Sequence, residues 1–187
     1  MIPFFGIALG LATGFIRRGS LRGLAELRFT AIWLLFLTLL IQILIFPWVL
    51  GTVIIEQATA YLHLASYGLA AVFLLLNFRI FWPVLPGMLL NLLVIAANGG
   101  FMPADPEALR RAGEPATAEA LLASSDGTLA NIRLMTDETL LNILGDWLFA
   151  PGWVPFATAF SIGDLLIAVG IAWIVQAGMR RGASETT

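Results

Sequence analysis

The sequence predicts an all-α integral membrane protein: five transmembrane helices beneath an outer cap of short amphipathic helices. Three observations predict it. Of 187 residues, 59% are hydrophobic and only 12% charged, where a soluble domain carries about 25% charged residues. The mean hydropathy is +0.91. The apolar residues also fall in long blocks, comparable with the roughly 20 residues a helix needs to cross about 30 Å of hydrocarbon. Together these exclude a soluble globular domain and a disordered chain. The net charge of -2, with arginines scattered along the chain, excludes a nucleic-acid binder.

The first span covers residues 2–16, short and apolar, and stops at Arg17-Arg18. No positive region precedes it and its charges follow, so it reads as a retained anchor rather than a signal peptide. Within it Gly6, Gly10 and Gly14 recur at a spacing that lets helices approach closely in lipid. Two readings stay open: packing inside the bundle, or a homo-oligomer seam. Residues 20–29 set Leu21, Leu24 and Leu27 apart from Arg22 and Arg28, as in an interfacial amphipathic helix. The second span, 30–50, carries no charge. Residues 61–79 and 80–98 are two further spans, divided only by Arg79, and 157–178 is the last, with Asp164 near its start. Residues 1–187 read as a single membrane domain.

The outer segment, 99–156, opens with Asp105-Pro106-Glu107, a helix start with proline in the first turn and acids at the positive dipole end. Further on, Leu140, Leu141, Leu144, Trp147 and Leu148 stand at helical spacing. The segment is expected to lay short helices on the bundle and to be too short for a core of its own. With five spans, Arg17, Arg18, Arg22, Arg28, Arg79, Arg180 and Arg181 share one side, and most acids lie opposite. The positive-inside rule then puts the N-terminus outside and the C-terminus in the cytoplasm.

Absences narrow the chemistry. There is no Cys, no Lys, and His63 is the single histidine. Thiolate chemistry, Schiff bases, a lysine-bearing phosphate loop and a histidine-cluster metal site are excluded. No metal and no cofactor are expected. Carboxylates, amides, hydroxyls and arginines remain.

Polar groups at membrane depth each ask for a reason. Gln42, Asn77 and Asn91 serve as interhelical glue or line a path for a small solute. Gln42 and Asn91 are expected to meet near mid-membrane. Asn98-Gly99-Gly100 reads as a helix stop with glycine in the left-handed conformation, and Ser161-Ile162-Gly163-Asp164 as a capping box. A sharper reading rests on two repeated dipeptides, Gly145-Asp146 and Gly163-Asp164, joined by a turn rich in Pro and Trp. Two carboxylates folded together cannot both ionise readily, so Asp146 and Asp164 are a candidate catalytic pair. Asn98 and Ser161 are the candidates to orient a substrate beside them.

Several segments together resemble a known family: Leu40-Ile41-Gln42, Asn91-Leu92-Leu93-Val94-Ile95, Asn98-Gly99-Gly100-Phe101-Met102-Pro103, Leu144-Gly145-Asp146 and Phe160-Ser161-Ile162-Gly163-Asp164. The family is a set of small bacterial multi-pass membrane proteins grouped as a domain of unknown function. The resemblance implies the bacterial cytoplasmic membrane and about five spans, and it implies no activity. A fainter similarity, to lipoprotein signal peptidase, rests on the order Asn98, Asp146, Asp164. It implies an aspartic hydrolase, although Ser161 stands where that family has Asn, Asp146 lacks a following Arg, and two spans between Asn98 and Asp146 are missing. The expected function is a non-enzymatic membrane protein working through lipid or protein contacts. A membrane-embedded aspartic hydrolase and a small-solute binder or carrier are the alternatives.

Overall fold

The computed structural model describes residues 2–45 and 58–184, with side chains through Arg180. The helices are α1 (Ile2–Ile16), α2 (Arg22–Ala25), α3 (Trp33–Ile45), α4 (Thr59–Leu76), α5 (Phe78–Phe81), α6 (Leu85–Ala97), α7 (Pro106–Arg111), α8 (Pro115–Ala123) and α9 (Ile162–Ser184). The strands are β1 (Met102–Ala104), β2 (Thr128–Leu129), β3 (Ile132–Leu134), β4 (Leu148–Phe149) and β5 (Ala159–Phe160). The molecule is therefore mostly helical but not all-α. Among the described residues, α4 and the Ile162–Arg180 stretch of α9 are long and apolar enough to cross a membrane. Helices α1, α3 and α6 are apolar but shorter. Residues 46–50 of the expected second span lie outside the described residues.

The long apolar helices bury different faces of one bundle. Helix α1 runs along α9, α3 along α4, and α6 lies against both α4 and α9. Leu34, Phe73, Leu74, Val84 and Ile167 form the shared core. The Phe73 ring lies 5.4 Å from Phe81 and 6.3 Å from Phe29. The expected amphipathic helix over 20–29 is only the single turn α2, and it packs on α9.

At the α1–α9 contact the glycine stripe settles how close two backbones come. A Cβ at Gly6 would collide with the Ala168 carbonyl, one at Gly10 with Val175 and Ala172, and one at Gly14 with the Met179 sulfur. The stripe thus packs on α9 of the same chain.

The cap departs most from expectation. Three short strands pair in the order β1-β3-β2, with Met102 opposite Ile132 in parallel and Leu129 opposite Ile132 in antiparallel register. A second pair sets Leu148 opposite Phe160. Helix α7 starts where expected: Asp105 caps it, its side chain accepting from the Glu107 N–H at 2.9 Å. The cap has its own small core of Ala104, Ala108, Leu109, Ala118, Leu121 and Ala159. Mixing two helices with a sheet buries alanines and leucines that helices alone would leave on the surface. The helix expected over 137–148 is absent apart from a 3-10 turn at Asn142–Leu144. Side chains claim the backbone groups a helix would need. Thr139 Oγ1 and Asn142 Nδ2 both donate to the Thr136 carbonyl, at 2.7 Å each. Asn98 captures Leu140 from both sides, donating to its carbonyl at 2.8 Å and accepting from its N–H at 2.9 Å.

Candidate functional site: an acidic cavity between cap and bundle

Both helix ends read from the sequence form as expected, and they set the walls of the site. Helix α6 stops at Asn98 in a Schellman arrangement. The Gly100 N–H donates to the Ile95 carbonyl at 2.8 Å, and Gly99 takes a φ of 70°. Helix α9 starts with a complete capping box. The Asp164 N–H donates to Ser161 Oγ at 3.0 Å, and the Ser161 N–H donates back to Asp164 Oδ2 at 3.2 Å.

Helix α6 adds a third partner. Asn91, fully buried, donates through Nδ2 to Asp164 Oδ1 at 2.8 Å and accepts from Ser161 Oγ at 2.9 Å. A Cβ on Gly163 would land on the Asn91 amide, so glycine beside Asp164 is what lets α6 reach the capping box. Gly145 has the same kind of reason: a Cβ there would meet the Pro103 carbonyl oxygen at 2.6 Å. Each Gly-Asp dipeptide therefore sets its aspartate where another backbone or side chain passes closely.

Asp146 sits on a strand-like edge rather than at a helix end. Its N–H donates to the Pro103 carbonyl at 2.8 Å, and its carbonyl accepts from the Asp105 N–H at 3.0 Å. Its Oδ1 is buried and has no hydrogen-bond partner among the described residues. Burial pushes the Asp146 carboxyl well above the usual carboxylate range, and the negative charge of Asp164 pushes the same way. Glu114 adds a weaker upward push.

These groups face one cavity of about 750 Å³ where the cap meets the bundle. Asp146, Asp164 and Glu114 line it, as do Gln42, His63 and Tyr67 from the bundle. The rest of the wall is largely apolar, including Ile2, Met102, Leu109, Ile132 and Phe160. His63 is buried and bonds through Nδ1 to the Gly100 carbonyl at 2.8 Å. Its ring meets Tyr67 edge-on at 5.2 Å. Gln42 donates to Ser66 Oγ at 2.8 Å. Among the described residues no group of three or more metal-ligating side chains is placed to hold a metal ion.

The expected site is thus assembled in part. Asp146 and Asp164 do face the same cavity. Gln42 and Asn91 do not pair with each other: one bonds α4, the other the α9 start. Asn77 clamps the chain before α3, its Oδ1 accepting from the Thr30 N–H at 2.7 Å and its Nδ2 donating to the Thr30 carbonyl at 2.9 Å. Asn98 has its amide committed to Leu140 and Val94 and does not line the cavity. Ser161 is a buried cap. Neither is placed to orient a substrate, so the order that resembles lipoprotein signal peptidase does not extend to Asn98. Tyr67 and Glu114 were not singled out by the sequence. Tyr67 follows His63 by four residues, the spacing that puts two side chains on one helix face. Glu114 sits in a turn between two proline-led helices and carries no signal of its own.

Fold and site define a mostly helical protein with helices long and apolar enough to cross a membrane and an acidic cavity beneath a small mixed cap. The chain belongs to a family of unknown function, DUF5317, whose model matches residues 26–176. That stretch includes every polar group named at the cavity. No curated protein and no solved structure matches the chain.

Proposed function

We propose that this protein is a five-span protein of the bacterial cytoplasmic membrane, N-terminus outside, that binds a small amphiphilic molecule beneath its outer cap without chemical conversion. The observation that carries the reading is the cavity itself. Its volume of about 750 Å³ lies within the roughly 300–1,000 Å³ of small-molecule sites, and its wall is largely apolar with a few convergent polar groups. Membrane residence is supported by the faces the bundle leaves uncovered. Phe36 is 65% exposed, Trp33 62% and Phe4 61%. Apolar surface on this scale suits lipid and not water. The arginine distribution supports the orientation.

The test uses the purified full chain in micelles with octanol as the neutral probe. Saturable binding that a bulky residue at Ile132 abolishes is the expected result. Partition into micelles alone, unchanged in Ile132→Trp, overturns the reading.

The aspartic-hydrolase reading keeps one observation in its favour: Asp146 and Asp164 line the same cavity. Against it, both oxygens of Asp164 already accept bonds, from Asn91 and from the Ser161 N–H. Release of product from a peptide or lipid-ester mixture by the native chain, but by neither Asp146→Asn nor Asp164→Asn, would carry it instead.

A further inference from the structure

We propose that the molecule bound in this cavity carries a protonated primary amine, which docks on Asp146, and an apolar tail, which lies in the groove between α1 and α9. The proposal rests on the reading of the cavity as a ligand site.

Asp146 Oδ1 is the starting point. It is buried and accepts no hydrogen bond from the described residues, and Asp146 is one of the residues lining the cavity. A buried polar atom of this kind is uncommon and asks for a partner. The backbone of Asp146 is tied to Pro103 and Asp105, which fixes the point from which the carboxyl projects. Asp164 offers field rather than a free oxygen, since Asn91 and Ser161 occupy it. Glu114 adds a third carboxyl at the wall. No arginine stands among the described residues of that wall, so an anion is disfavoured. Burial and the charge of Asp164 favour the neutral Asp146 carboxyl when no cation stands beside it; a docked ammonium opposes both, favours the carboxylate, and its N–H supplies the donor that Oδ1 lacks. A quaternary ammonium supplies the charge without the donor.

The tail follows from a second space. A groove of about 330 Å³ runs between α1, α9 and the β4 region, lined by Phe5, Leu9, Phe149, Leu165 and Val169. Ile2 and Phe160 line both spaces, so the groove meets the acidic cavity. A molecule with one charged end and one apolar end fits that sequence of surfaces. Two sources share the chemistry: a free alkylamine, and the ethanolamine head group of a lipid.

Titration calorimetry of the full chain in dodecyl maltoside micelles compares octylammonium with octanol, octyltrimethylammonium and octanoate. Octylammonium should bind at least tenfold more tightly than each of the others. Asp146→Asn should remove that preference, so that octylammonium and octanol bind alike. Glu114→Gln, at a partly exposed position, should reduce the preference by a smaller factor, and it provides the check should Asp146→Asn not fold. Native mass spectrometry with phosphatidylethanolamine and phosphatidylcholine separates the sources. Preferential retention of the ethanolamine lipid, lost in the variant, assigns a lipid head group. Equal retention with the octylammonium preference intact assigns a free amine. Octanol binding as tightly as octylammonium overturns the amine while the cavity reading stands; failure of all four probes overturns both.

Discussion

Asp146 and Asp164 face the same cavity with opposite equipment. Asp164 stands at the start of α9, where its two carboxylate oxygens accept from Asn91 and from the Ser161 N–H. Asp146 has burial and a negative neighbour, which favour the neutral acid. The sign of the pH effect follows. A carboxyl whose folded-state pKa is raised contributes fully below its unfolded value, at roughly pH 4, and that contribution is lost as pH climbs through the folded value. The unfolding temperature in micelles should therefore fall as pH rises from about 4. Asp146→Asn should flatten that fall; an unchanged slope would show that Asp146 is ionised throughout. Asn91 makes the second residue-scale prediction. Asn91→Ala strands a buried hydroxyl and removes a donor to Asp164, which should destabilise the fold by about 1–3 kcal/mol. Denaturant titration of the variant checks it. Pairing it with Ser161→Ala should cost less than the sum of the two single changes, because the two side chains serve one network.

Among the elements, close approach rather than side-chain bulk decides the contacts of α9. Gly6 on α1 and Gly87 on α6 both face its backbone, where a Cβ would overlap Ala168 or the Gly163 carbonyl. Gly163→Ala would force α6 and α9 apart at the capping box. It should lower stability by about 1–3 kcal/mol, the usual range for overpacking, and loosen the Asn91 bond to Asp164. Thermal unfolding of Gly163→Ala beside Gly68→Ala separates this from a general glycine effect, since a Cβ at Gly68 meets nothing within 4 Å. At the two helix ends that wall the site, the sequence was legible. The Asn-Gly-Gly stop and the Ser-x-x-Asp start are local devices, closed within a few residues, and both form. The 137–148 segment was not legible for the opposite reason. Its leucines have helical spacing, but Asn98, from the end of α6, holds the Leu140 backbone in another conformation. The strands were likewise hidden. Ile132-Arg133-Leu134 alternates, but three residues are too few for the pattern to stand out until β1 supplies its partner.

For the molecule as a whole, the bundle presents apolar faces outward and gathers its polar groups at the junction with the cap. A reporter fused after Thr187 should be active only in the cytoplasm, and one inserted near Ser125 only outside. The reverse pattern would overturn the five-span orientation. Composition, block length and charge placement told of a helical membrane-type chain because each is a property of the residues themselves: apolar side chains must leave water, and no fold changes that. The repeated Gly-Asp dipeptides marked two of the three carboxyls of the cavity for a related reason, since glycine and a buried acid are each unfavourable without cause. The sequence did not tell which partner each group takes. Gln42 could bond Asn91 or Ser66, and the glycine stripe could meet a second copy or α9. Either choice satisfies the same chemistry, and distance alone selects between them. The tertiary structure set those distances. It turned Asn98 toward Leu140, brought Tyr67 and Glu114 to the cavity, and left one oxygen of Asp146 without a partner among the described residues, because only packing across elements fixes which polar atoms meet and which do not.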